Sequence, residues 1–106
     1  MVLRGLIEIA DIREVVSQRR FRISDHAFDE AREDGILRSD VYRSLANGRI
    51  TEEYQYQQPG EWPRCLITGR DLERKVICSV WAYNRQLRWT VLVTVYRPKA
   101  KKKKRK

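Results

Sequence analysis

Residues 75–96, KVICSVWAYNRQLRWTVLVTVY, decide the fold. β-branched and aromatic residues dominate both ends of this stretch, and the polar residues at 84–86 separate the two halves. The pattern predicts two strands, over 75–83 and 88–96, joined by a hairpin turn. Because so short a link joins antiparallel neighbours, the two strands should pair side by side.

Two more strands are predicted upstream, in RITEEYQY at 49–56 and in CLIT at 65–68. The segment 57–63 contains two prolines and a glycine and is typical of a loop, while 69–72 is typical of a turn. Four consecutive strands with short connections are therefore expected in the second half of the chain.

Helical periodicity precedes the strands. Asp11 followed by Glu14 fits a capping box, and apolar residues recur on one face after it, so a helix is predicted over 11–20. Residues 3–9 either extend this helix backwards or form an extended lead-in. The sequence leaves both alternatives open.

Two further helices have clear end signals. Ser24 is a favourable N-cap and Gly35 a favourable stop, which predicts a helix over 25–34. Ser39 is predicted to cap a third, short helix, which ends at Asn47-Gly48.

Segregated helices followed by consecutive strands are typical of an α+β fold. We therefore predict two to three N-terminal helices packed on a curved antiparallel sheet of about four strands. A length of 106 residues fits one hydrophobic core, so residues 1–98 are predicted to form a single domain.

Alternation along the last strand predicts which side chains share a face. The valine-rich set is predicted to be core, and the other set is left for a face that a ligand can reach. The predicted core set is Trp89, Val91, Val93 and Val95, and the opposite set is Thr90, Leu92, Thr94 and Tyr96.

The formal charge of +9 comes mostly from the C-terminus. Residues 99–106, KAKKKKRK, carry seven positive charges, which leaves 16 basic and 14 acidic residues in 1–98. Such a segment is expected to be a flexible basic tail. It either raises affinity for RNA or DNA through counterion release or serves only as a solubilising terminus.

Composition excludes several classes of protein. Hydrophobic residues make up 42% of the chain and charged residues 35%, and no apolar run reaches the length of a membrane span or a secretory signal. A cytoplasmic protein with no membrane association is expected. Cys65 and Cys78 lack CxxC spacing and, with His26, are too few for a structural zinc site. Neither a metal nor another cofactor is predicted.

Four segments share a pattern with a known family: HAFDEAREDGI at 26–36, SDV with LANGRI over 39–50, PRCLITG at 63–69 and TVYRP at 94–98. Together they resemble the domain of unknown function 4258 family, over residues 24–98. The features that carry it are a His-Ala pair opening a helix, Gly-Ile closing it, an Asp-Val helix ending in Gly and a final Thr-x-Tyr-x-Pro strand.

The family is similar to the RelE/ParE-like toxins, and this resemblance implies a function. Many such toxins are ribonucleases that a partner antitoxin inhibits, so RNA and a cognate antitoxin are the implied partners. Because an exposed edge strand can pair with another chain, the free protein is expected to be a monomer or a dimer. Two positions depart from the family pattern: Asp34 stands where a basic residue is common, and Ile77 where a histidine is frequent. A requirement for either basic group would weaken activity in this chain.

Metal-independent cleavage of RNA needs a base, an acid and a cation for the phosphate. His26 is the only histidine and can exchange a proton near neutral pH, although it can instead bond to Asp29 or Glu30 on its own helix. Arg64 can stabilise phosphate charge or form an edge-strand ion pair. Tyr96 can orient the substrate or donate a proton. These three residues are the predicted catalytic set.

A second set is predicted to bind substrate. Thr94 can hydrogen-bond a phosphate or a base, and Trp62, in a Gly-Pro loop, is the predicted exposed stacking surface. Arg49, Arg88 and Arg97 lie near strand ends, where they either follow an RNA backbone or form solvated surface. The same features also fit a catalytically silent RNA-binding module or a protein-interaction domain, and both remain alternatives.

Overall fold

The computed structural model describes residues 7–54 and 59–98. The helices are α1 (Ile9–Ser17), α2 (Asp25–Asp34) and α3 (Arg38–Asn47), and the strands are β1 (Phe21–Ile23), β2 (Arg49–Tyr54), β3 (Arg64–Arg70), β4 (Val76–Asn84) and β5 (Trp89–Tyr96). The predicted α+β class is confirmed. The described part of the chain contains three helices and five strands, one strand more than predicted.

The sheet has the order β1-β5-β4-β3-β2. β2 to β5 form an antiparallel meander, whereas β1 pairs with β5 in the parallel sense, so the sheet is mixed. The prediction missed β1 because it has only three residues, Phe21–Ile23, and carries no alternating pattern long enough to identify.

All three helices pack on one face of this sheet. Ile12 and Val15 of α1, Ala27 of α2 and Leu45 of α3 are buried there against Trp81 of β4. The other face is not covered by any described helix. We call this second surface the open face.

The predicted faces of β5 are partly wrong. Thr90, Leu92 and Val95 are buried against the helices, whereas Val91 and Val93 are only half-buried. The reason is a β-bulge: Trp81 pairs with Leu92 and the preceding residue of β4 pairs with Thr94, so Val93 is an extra residue. The bulge reverses the alternation, which places Thr94 and Tyr96 on the open face as predicted.

Two helix starts also differ from the prediction. α1 begins at Ile9, after the N-cap residue Glu8, and the backbone N–H of Asp11 already donates to the Glu8 carbonyl at 3.0 Å. Asp11 therefore lies inside the first turn and does not cap the helix. α3 begins after Leu37 rather than at Ser39, and Asp40 Oδ2 accepts from the Leu37 N–H at 2.9 Å.

α2 matches its predicted range of 25–34. The Ser24 Oγ accepts from the Ala27 N–H at 3.0 Å, and Gly35 has a left-handed backbone with φ 66°. Both end signals act on groups within one helical turn, which is why the sequence alone predicted the two ends of α2 correctly.

Some predictions lie outside the described residues, namely the lead-in at 3–6, the end of the second strand at 55–56 and the basic tail at 99–106. Among the described helices, none has the length and apolar character needed to cross a bilayer.

Candidate active site on the open sheet face

Strand pairing aligns the side chains of the open face in rows, because residues opposite each other across antiparallel strands point the same way. Tyr96 is opposite Cys78, and Thr94 is opposite Val80. Arg64 is opposite Ala82. The residues along the middle of β4 are therefore small, whereas Tyr96 on one side and Arg64 on the other are long, so we expect a shallow trough across the sheet.

β1 pairs with β5 only as far as Leu92, and the rest of that edge of β5 is covered by polar side chains of α2 and its N-cap. Ser24 Oγ donates to the Val93 carbonyl at 2.9 Å, Glu30 Oε1 accepts from the Val95 N–H at 3.1 Å, and Asp34 Oδ2 accepts from the Arg97 N–H at 3.0 Å. These bonds satisfy strand groups that would otherwise be open to pairing with another chain. They also fix α2 alongside the open face.

A histidine–carboxylate pair lies on this edge. His26 Nε2 is 3.3 Å from Glu30 Oε2, one helical turn away, and the His26 side chain is 69% exposed. The other carboxylate oxygen of Glu30 accepts a hydrogen bond from Thr94 Oγ1. Glu30 is only 28% exposed, so it is held between the strand and the imidazole. The arrangement leaves Nδ1 of His26 available to a ligand.

Tyr96 is on the same strand as Thr94 and the same face, about 7 Å away by strand geometry. Partial burial raises the pKa of the Tyr96 phenol, and interactions with neighbouring Cys78, Glu52 and Glu30 raise it further, among them a hydrogen bond with Cys78. The phenol is therefore protonated at neutral pH and acts as a hydrogen-bond donor.

The opposite side of the trough carries another phenol. A hydrogen bond with Glu52 raises the pKa of Tyr54 to about 12. Tyr54 is opposite Arg64, and Glu52 is opposite Leu66, so both lie on the open face. The trough thus has a protonated phenol on each flank at neutral pH.

Arg64 is not gathered with His26 and Tyr96. It lies on the open face, but it is two strands away from Tyr96 and four residues along the sheet, about 16 Å between Cα atoms by sheet geometry. Its guanidinium is 4.0 Å from the carboxylate of Glu61 and 41% exposed. Arg49 is also on the open face, in the row of Tyr96 but about 14 Å away across three strand spacings.

Three other predicted binding residues lie elsewhere. Arg88 is at the turn before β5, where it pairs with Glu14 at 2.9 Å, a contact that raises the pKa of Arg88. Trp62 precedes β3 and is half-buried, so it is not the exposed surface that was expected. The Arg97 guanidinium forms a salt bridge with the Asp71 carboxylate at 2.8 Å, which fixes the position of its side chain.

Two residues near the site were not among the predicted site residues. The sequence analysis named Glu30 only as an alternative hydrogen-bond partner of His26, and its spacing of four from His26 fits the observed pair. Arg22 of β1 points to the open face because Phe21 and Ile23 face the core side. Strand register places its Cα about 8 Å from that of Thr94. Among the described residues, no salt bridge joins Arg22 to a carboxylate.

The two departures from the family pattern have structural explanations. The Asp34 carboxylate and carbonyl both accept from Arg97, so this residue joins α2 to the end of β5. Ile77 is fully buried against the helices, so position 77 does not face the open side of the sheet.

Metal ligands are not assembled anywhere in the described ranges: no three His, Cys, Asp or Glu side chains come together there. Both cysteines are free and buried. Burial raises the pKa of Cys65 to about 12, which makes its thiol a poor nucleophile.

The fold and the site define a small α+β domain with helices on one sheet face and a histidine–carboxylate pair at the edge of the other. Residues 23–97 match the domain of unknown function 4258 family. Since that match covers more than half of the chain, the protein belongs to this family. Comparison with curated proteins and with solved structures gave no significant match.

Proposed function

We propose that this protein is a metal-independent endoribonuclease that cleaves RNA by attack of a 2′-hydroxyl on the adjacent phosphate. The observation that carries the proposal is the exposed His26 imidazole, 3.3 Å from the partly buried Glu30 carboxylate. A base that must take a proton from a sugar hydroxyl needs exposure to substrate and a partner that stabilises its charged form. His26 and Glu30 supply these two properties.

In the proposed reaction, His26 Nδ1 takes the proton of the 2′-hydroxyl as its oxygen forms a bond to phosphorus. Glu30 orients the imidazole through Nε2 and stabilises the positive charge that develops. The bond between phosphorus and the 5′-oxygen breaks, and Tyr96 donates its phenolic proton to that oxygen. The products are a 2′,3′-cyclic phosphate and a 5′-hydroxyl, after which a water molecule passes the proton from His26 back to Tyr96.

A cation must stabilise charge on the phosphate. Arg64, the residue predicted from sequence, is about 16 Å from Tyr96 by sheet geometry and suits a phosphate further along the strand of RNA. Arg22 is the better candidate at the scissile phosphate, because it lies one strand from Thr94 on the same face. Thr94 donates to Glu30 and is assigned a positioning role.

We further propose that the domain is of the RelE/ParE-like toxin kind and has a cognate antitoxin. The support is the family resemblance together with three helices packed on a mostly antiparallel sheet. Expression should then arrest growth, and co-expression of the neighbouring partner protein should relieve the arrest. Growth unaffected by expression would contradict the toxin assignment.

The decisive test is cleavage of total RNA by the full chain in EDTA. His26→Ala and Glu30→Gln should each reduce the rate by about 100-fold or more if they act as base and orienting group. Asp29→Asn is the matched control, since it removes an exposed carboxylate from the same helix beside Glu30. Undiminished cleavage by His26→Ala would remove this residue from the mechanism.

A non-catalytic RNA-binding module is the second candidate. The distance between Arg64 and Tyr96 favours it, because these residues do not converge on one phosphate. Wild-type protein that binds RNA in EDTA but leaves it intact would support this alternative. If the wild-type protein does cleave RNA, Arg22→Gln should reduce the cleavage rate more than Arg64→Gln does, because Arg22 is the cation assigned to the scissile phosphate.

A further inference from the structure

A second basic surface lies where α3, β2 and the β3–β4 turn meet. We call it the arginine groove, and four arginines line it: Arg43, Arg49, Arg70 and Arg74. Its volume is about 910 Å3. The groove contains one carboxylate, Asp71, which is already paired with Arg97. A cluster of four guanidiniums is therefore left without a compensating anion within the described residues.

The elements that carry these arginines are rigidly joined. Asn47, at the end of α3, exchanges two hydrogen bonds of 2.9 Å with the backbone of Arg70. Asp71 Oδ1 accepts from two backbone N–H groups of the following turn. Arg70 Nη1 donates to the Arg74 carbonyl at 2.9 Å. These bonds fix the β3–β4 turn relative to the end of α3 before any ligand arrives, which lowers the entropic cost of ordering the groove on binding.

Arg43 and Arg49 are the residues best placed to bind a ligand. Both are exposed, one on α3 and one at the start of β2, and neither is paired with a carboxylate in the described structure. Thr68 adds a hydroxyl beside them, opposite Arg49 on β3. Guanidiniums with a hydroxyl nearby form the donor set that binds phosphodiester oxygens.

The groove continues onto the open face. Arg49, Thr68, Cys78 and Tyr96 form one row across four neighbouring strands. An extended chain of phosphates in the groove therefore leads directly towards Tyr96 and the histidine pair. A single strand fits this path better than a duplex, because its backbone can bend until the attacking 2′-oxygen, the phosphorus and the departing 5′-oxygen lie in line.

We infer that the arginine groove binds the backbone phosphates of single-stranded RNA flanking the bond that is cleaved. The inference rests on the proposed function for its choice of RNA. It adds a binding site separate from the histidine pair, about 14 Å from Tyr96 by strand spacing.

Binding of a fluorescent 2′-O-methyl oligonucleotide tests the inference, because this probe has no 2′-hydroxyl and cannot be cleaved. Arg43→Gln combined with Arg49→Gln in the full chain should weaken binding by about tenfold or more at low salt. Loss of two phosphate contacts should also reduce the slope of log affinity against log salt by about 1.4.

The matched control is Arg19→Gln combined with Arg38→Gln. It changes the net charge equally, but both residues line a cleft on the helix-covered side of the molecule. Equal weakening by control and test variants would reduce the effect to net charge and overturn the inference. Loss of poly-glutamate binding with unchanged oligonucleotide affinity would assign the groove to an acidic protein and also overturn it.

The experiments distinguish failure of the groove assignment from failure of the nuclease proposal. If the groove variant loses oligonucleotide binding while wild-type protein cleaves nothing, the groove assignment stands without the nuclease. If wild-type protein cleaves RNA while the groove variant binds normally, only the groove assignment falls. With both correct, the groove variant raises KM much more for long RNA than for a dinucleotide.

Discussion

Gly69 of β3 passes so close to Ser44 of α3 that a Cβ atom added at position 69 would be 2.0 Å from the Ser44 carbonyl oxygen. The neighbour is backbone and cannot rotate away. This approach sets how closely α3 packs on β3, and it explains a glycine within a strand, where the residue otherwise weakens pairing. The position of the arginine groove depends on the same contact.

Gly69→Ala should destabilise the protein by about 3 kcal/mol, because α3 must move away from the sheet to admit the methyl group. Urea unfolding measures the change. Gly35→Ala is the control: nothing lies within 4 Å of its added Cβ, so only the left-handed backbone, φ 66°, opposes it. That variant should lose only about 1 kcal/mol. Equal losses would show that packing against Ser44 is not the cause.

Ser24→Ala should cost about 2 kcal/mol, since the hydroxyl both caps α2 and donates to the Val93 carbonyl on β5. Ser39→Ala is a matched control, because Ser39 is exposed in the first turn of α3 and is not its cap. It should change stability by less than about 0.5 kcal/mol. A larger loss from Ser39→Ala would restore it as the functional N-cap.

Asp71 should stabilise the protein most at neutral pH. Hydrogen bonds from the Lys75 and Glu73 N–H groups and from Arg97 hold the pKa of its carboxyl below 3.8, with the Lys75 bond contributing most, although burial opposes them. Because the folded pKa is lowered, this stability is present above the unfolded pKa and is lost as pH falls through the folded value.

Asp71→Asn should therefore lower Tm by several degrees at neutral pH, and the difference should shrink in acid below pH 3.8. Glu73→Gln serves as control, because its carboxylate is 75% exposed in a surface pair with Lys75. A Tm difference for Asp71→Asn that does not vary with pH would mean that its charge contributes nothing.

Cys65 makes the fold sensitive to alkali. Burial raises the pKa of its thiol from 9.0 to about 12, so the folded state resists deprotonation more than the unfolded state does. The resulting stability is complete below pH 9 and declines as pH rises towards 12, by up to about 4 kcal/mol. Cys65→Ala should flatten this decline in urea unfolding. An unchanged slope would show that the thiol does not titrate on unfolding.

How much of the fold the sequence predicts depends on how local each signal is. The ends of α2 were read correctly because Ser24 and Gly35 act on groups within one turn. The buried face of β5 was predicted wrongly, because the bulge at Val93 depends on pairing with the neighbouring strand β4. β1 escaped notice because three residues show no periodicity, and its pairing with β5 is long-range.

The candidate site divides in the same way. His26 and Glu30 are one turn apart, so their contact follows from helical spacing. Thr94 meets Glu30 only because α2 covers the free edge of β5, which the sequence does not encode locally. Arg64 was expected beside Tyr96 on residue type, but its place depends on two strand registers.

Tyr96→Phe provides a functional test that leaves the fold intact. The pKa of Tyr96 is raised by burial and by Cys78, Glu52 and Glu30, so its phenol stays protonated through neutral pH. If it donates the proton to the leaving oxygen, the substitution should reduce the cleavage rate by about 100-fold with little change in oligonucleotide affinity. Wild-type activity should decline only as pH rises through this raised pKa, and the decline should vanish in Tyr96→Phe.

Tyr83→Phe is the matched control, because its buried hydroxyl has no partner within the described residues, and its removal should leave the rate unchanged. Equal rates for Tyr96→Phe and wild type would exclude the phenol as the acid.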